Sequence, residues 1–84
     1  MEITITIPEY SGEGIRLYWK GGFEIEVKTS NREIVVSANK ERLISLAKHL
    51  LSLIQDSVPT HHHFHLDEYN VLEEGSTPLV FQKK

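Results

Sequence analysis

The sequence predicts a small α+β domain in the order ββββαββ, an antiparallel sheet with one amphipathic helix packed on one of its faces. Three observations carry this. Residues 2–38 hold four runs of period-two apolar alternation separated by turn-rich clusters. Residues 40–55 switch to helical periodicity, and two further strand-like runs follow at Thr60–Leu66 and Pro78–Lys83. At 84 residues, with 39% apolar and 25% charged side chains, the chain supports one core and is read as one domain spanning residues 1–84.

The four-strand meander is built from inward sets Ile3, Ile5, Ile7; Ile15, Leu17, Trp19; Phe23, Ile25, Val27; and Ile34, Val36, Ala38. Facing apolar residues must share a parity, because a one-residue slip turns a strand inside out. That rule favours a three-residue Lys20-Gly21-Gly22 loop, which aligns Trp19 with Phe23 and Leu17 with Ile25. Between the third and fourth strands it favours a two-residue Ser30-Asn31 loop, or a four-residue loop of the same register, aligning Val27 with Ile34 and Ile25 with Val36. The outer face then carries three opposite-charge pairs, Glu2 with Lys20, Arg16 with Glu26 and Lys28 with Glu33, so water is expected there and a covering layer on the other face.

The helix supplies that layer. On a 100° wheel Leu43, Ile44, Leu46, Ala47, Leu50, Leu51, Leu53 and Ile54 fill one half, while His49, Ser45 and Ser52 fall on the polar half and are read as solvated. Asn39 is the expected N-cap, and Pro59 lies beyond the stop. In the last part of the chain Phe64 and Leu66 are expected to face the core, and the Glu73-Glu74-Gly75-Ser76 segment to form a turn.

Composition narrows the function. No cysteine is present, which removes disulfide frameworks, thiolate metal sites and cysteine nucleophiles. The net charge of −3 argues against a phosphate-neutralising nucleic-acid binder. There is no membrane-spanning run and no secretory pattern at Met1-Glu2, so the expected location is the cytoplasm. Charge is unevenly spread: from His49 to Gln82 there are five carboxylates, all five histidines and no lysine or arginine.

Within that stretch His61-His62-His63-Phe64-His65-Leu66-Asp67 is the conspicuous motif. In strand register His61, His63, His65 and Asp67 share one face, and His-x-His neighbours about 6.6–6.8 Å apart can share one ion. Zinc held by His63, His65 and Asp67 is therefore a minor reading, beside a solvated polar strand face and no cofactor at all. The same spacing matches a dinuclear metallohydrolase motif, but the chain has neither the further ligands nor the size such a site needs. No catalytic residue is assigned. Without metal, His65 and Asp67 are expected to clamp the start of the acidic loop.

Residues 38–84 resemble the bacterial immunity protein 32 family of polymorphic-toxin systems. The likeness lies in Ala38-Asn39-Lys40-Glu41-Arg42-Leu43, Leu46-Ala47-Lys48-His49-Leu50, His63-Phe64-His65-Leu66-Asp67, Leu72-Glu73-Glu74-Gly75-Ser76 and Leu79-Val80-Phe81. It implies an α+β protein that neutralises a cognate toxin by binding it, without catalysis. A surface for this would combine the carboxylates Asp67, Glu68, Glu73 and Glu74 with Tyr69, Val71 and Leu72 as apolar anchors, facing a basic active site. The other reading of Val71 and Leu72 is that they close the core. The alternative function is a histidine-rich metal-binding, structural or regulatory domain.

Overall fold

The computed structural model describes residues 1–10 and 25–84. Among these the elements are β1 (Ile25–Ser30), β2 (Glu33–Ala38), α1 (Lys40–Leu53), β3 (His63–Leu66) and β4 (Leu79–Gln82). The chain is α+β, but among the described residues the expected sheet is not formed. The described strands make two separate antiparallel hairpins, β1–β2 and β3–β4, instead of a four-strand meander continued by two more strands. The first expected strand, through Ile3, Ile5 and Ile7, has no strand structure. Alternation alone does not make a strand; a hydrogen-bonded neighbour does. Here Met1, Ile3 and Ile5 instead line one side of an apolar groove of about 510 Å³ whose other side is Leu43, Ile44 and Ala47 of α1. The second expected strand, the Lys20-Gly21-Gly22 loop and the Glu2–Lys20 and Arg16–Glu26 pairs involve positions outside the described residues.

The β1–β2 hairpin keeps the expected parity with its register moved by two residues. Val27 pairs with Val36 and Ile25 with Ala38, so Lys28 faces Val35 and not Glu33. The loop is Asn31-Arg32, both at positive φ (48° and 68°), as the two central positions of a type I′ turn require. Asparagine enters the left-handed region at low cost, which places it first in the loop instead of second.

Asn39 caps α1 as expected, its side-chain oxygen accepting from the Arg42 amide at 2.9 Å. The helix, however, sits turned from its expected pose by roughly a third of a revolution. Its buried residues are Arg42, His49, Ser52 and Leu53, while Leu43, Leu50, Leu51 and Ile54 are exposed, Ile54 to 65%. Ser52 is buried at tolerable cost because its Oγ donates to the Lys48 carbonyl at 2.9 Å, and the His49 ring packs edge-on to Phe64 at 6.1 Å between centroids. His49 and Ser52 are thus core residues and not solvated ones.

β1 contributes Ile25 and Val27 to the core, β3 contributes Phe64 and Leu66, and the chain between β3 and β4 contributes Val71 and Leu72. This last segment joins the two hairpins. Ile25 and Leu72 form a parallel bridge, the Glu73 amide donates to the Ile25 carbonyl and the Thr77 amide to that of Val27, both at 2.8 Å. Buried Ser76 completes the seam, its Oγ accepting from the Val27 amide at 3.1 Å. The expected turn is present: the Ser76 amide donates to the Glu73 carbonyl, and Gly75 adopts a φ of 85°, a conformation favouring glycine.

A cation closes the far end of the helix. Lys83, just past β4, donates from Nζ to the carbonyls of Gln55 (2.7 Å) and Val58 (2.9 Å), which lie just beyond the C-terminal end of α1. Lys83→Met keeps the aliphatic stem and removes both charge-assisted bonds. It is expected to lower stability by about 1–3 kcal/mol, read from the urea midpoint.

Candidate functional site

The loop between β3 and β4 begins with a dense local network. Asp67 Oδ1 accepts from the Tyr69 amide at 2.9 Å, and its main-chain carbonyl accepts from the amides of Asn70, Val71 and Leu72. Asn70 binds in both directions: its Oδ1 accepts from the Asp67 amide at 2.9 Å, and its Nδ2 donates to the His65 carbonyl at 2.8 Å. The chain is thereby fixed where it leaves the sheet, and Tyr69 projects from it at 97% exposure. These hydrogen bonds use the His65 main chain, while its ring lies against that of His63. Asn70 is the participant that sequence reasoning missed. Its residue type is a turn signal, but its two-sided role needs a loop that closes on itself.

The residues expected to form a partner surface separate into two groups. Val71 and Leu72 are each 1% exposed and belong to the core, so Tyr69 is the one expected apolar anchor that reaches solvent. Glu68 and Glu74 are exposed, with Asp67 and Glu73 half-buried. What remains at the surface is a single aromatic ring on a pinned loop in an acidic setting.

On β3 the expected alternation is realised. Phe64 and Leu66 are buried and His63 and His65 exposed, with His63 opposite Gln82 and His65 opposite Val80. The two rings are 4.9 Å apart, nearly perpendicular. His62 is half-buried and edge-on to Tyr10 at 5.5 Å. Among the described residues no group of three or more His, Cys, Asp or Glu is gathered around one point as a metal site, and Asp67 is engaged in its turn.

A sequence model of the immunity protein 32 family matches residues 33–84, which takes in β2, α1, the β3–β4 hairpin and the whole acidic loop. The chain belongs to the immunity protein 32 family. No curated protein and no solved structure gives a significant match. The family match covers both features just described, the Tyr69 loop and the histidine pair, and excludes β1, against which that loop is docked. Among the described residues no helix of this family member is long and apolar enough to cross a membrane.

Proposed function

We propose that the chain is a non-catalytic immunity protein that binds and neutralises a cognate toxin in the cytoplasm, using the acidic loop around Tyr69. The observation that carries this reading is the exposure of Tyr69 on a backbone tied down by Asp67 and Asn70. A large ring in water gains when it enters a pocket, and a loop already ordered loses little further entropy on binding. Glu68 and Glu74 beside it would steer a basic active site, such as a nuclease groove, into register. Membership of the family supports the partner class.

Co-expression with the toxin candidate from a neighbouring gene tests the reading, with growth rescue and a purified complex expected. Tyr69→Ala is expected to weaken that complex by roughly tenfold or more with the melting midpoint nearly unchanged. Glu68→Lys combined with Glu74→Lys should slow association by about tenfold at low salt, and added salt should shrink the difference. Absence of rescue together with absence of a complex overturns the proposal.

A further inference from the structure

We infer that His63 and His65 form a two-imidazole chelate on the exposed face of β3 for one divalent transition-metal ion of the zinc, nickel and copper class. The geometry carries the inference. Imidazole–metal bonds of about 2.0–2.1 Å at a tetrahedral angle place two ring centroids roughly 5 Å apart, because each centroid lies about 1.1 Å behind its nitrogen. The rings of His63 and His65 are 4.9 Å apart and stand edge to face at 80°, so the spacing fits a shared ion, and rotation of the exposed His65 ring about its Cβ–Cγ bond is what turns its nitrogen towards it.

The hydrogen bonding of His63 adds a second, independent indication. Its Nδ1 lies 3.1 Å from the His61 carbonyl, and a carbonyl only accepts, so Nδ1 carries the proton. In the neutral ring Nε2 is then left with its lone pair. A backbone carbonyl holding the second nitrogen of a ligating histidine is the usual support of an imidazole metal site, since it fixes both tautomer and ring orientation. Both residues sit on a strand locked to β4 by its ladder, so little backbone entropy is lost when the ion binds.

His61 is set apart from the pair. Its φ of 72° takes it out of the strand conformation, and its Nδ1 accepts from Gln82 Nε2 at 3.2 Å. Its contribution to the site is therefore its main-chain carbonyl, which any residue supplies. Asp67 stays with the loop, and water completes the coordination shell. Imidazole donors on a chain without thiolates match this metal class and not magnesium or calcium, which prefer oxygen.

The test uses the full chain without an affinity tag, titrated with ZnCl2 and separately with NiCl2 in a calorimeter, with imidazole proton resonances followed in parallel. One ion per chain is expected, with the His63 and His65 ring signals moving first. His63→Gln and His65→Gln should each weaken binding by about tenfold or more, whereas His61→Ala should change it by less than about threefold. Circular dichroism of each variant is expected to match that of the wild type, since the positions are exposed. Equal losses on replacing His61 or His62 would mean diffuse capture by the histidine tract and would overturn the assignment. So would the absence of saturable binding below about 1 mM metal, since that corresponds to only about 4 kcal/mol of binding free energy.

Discussion

Truncating Leu72 to alanine is expected to destabilise the protein by about 3 kcal/mol, a large part of what a domain of this size has to lose. The side chain is 1% exposed and packs in the same cluster as Ile25, Phe64 and Leu66. Its backbone bridges Ile25, and the amide of the next residue bonds the Ile25 carbonyl, so the cavity would open at the seam where the acidic loop docks on β1. Relaxation into that cavity is restricted by the same hydrogen bonds, so collapse of the site offers little relief and the loss is not expected to fall below the usual range for such a truncation. In a two-state melt the loss corresponds to a fall in midpoint of roughly 12–24 °C. Tyr69→Ala, three residues away and fully in water, should shift the midpoint by no more than the small amount typical of a surface change, about 0.5 kcal/mol. The pair of variants separates core from contact: if Leu72→Ala melts like wild type and loses only toxin binding, Leu72 is an anchor and its burial is not what holds the loop.

The contrast between Tyr69 and Leu72 also marks how far the sequence could be read. In His63-Phe64-His65-Leu66 the alternation translates directly into burial, because β3 has a partner strand, β4, and a core on one side only. The Asn39 cap and the turn at Gly75 were legible for the same reason: each is decided by a few adjacent residues and one backbone preference. Register in the first hairpin was not. A shift by two residues keeps every side chain on the same face of the hairpin, so parity cannot separate Val27–Ile34 from Val27–Val36; the choice falls to which two residues take positive φ, and on that face Ile34 and Val36, expected to point inward, are exposed. Helix orientation failed for another reason. The wheel correctly divides polar from apolar residues, but it assumes that polar ones need water, and Ser52 satisfies its hydroxyl within its own helix. Once that is possible, the boundary between the two halves can face the core and leave Leu43, Leu50, Leu51 and Ile54 exposed. At the candidate site the acidic residues and Tyr69 were visible as types, whereas the burial of Val71 and Leu72 depends on a docking against β1 that spans nearly fifty positions of chain and leaves no local trace.

Acid sensitivity follows from the burial of His49 and is expected well above the pH at which carboxylates protonate. The ring is 3% exposed, and its removal from water, with a smaller contribution from the neighbouring Lys48 charge, lowers its pKa from 6.5 to about 4. In the unfolded chain the imidazole titrates near its ordinary value of about 6.5. Between these two values the unfolded state binds a proton that the native state does not, so stability rises with pH across the window. It is fully present above about pH 6.5 and falls as the solution is acidified towards pH 4, by at most about 1.4 kcal/mol for each pH unit. The expected loss between pH 7 and pH 5 is therefore about 2 kcal/mol. His49→Leu keeps an apolar side chain against Phe64 and abolishes the titration; it is expected to lower stability at pH 7 somewhat and to flatten the dependence between pH 7 and pH 5. Urea midpoints of both proteins at several pH values across this window decide the matter. A variant that loses as much stability on acidification as the wild type does would place the acid sensitivity elsewhere than His49, while a flat variant beside a steep wild type assigns it to this one ring at the interface of α1 and β3.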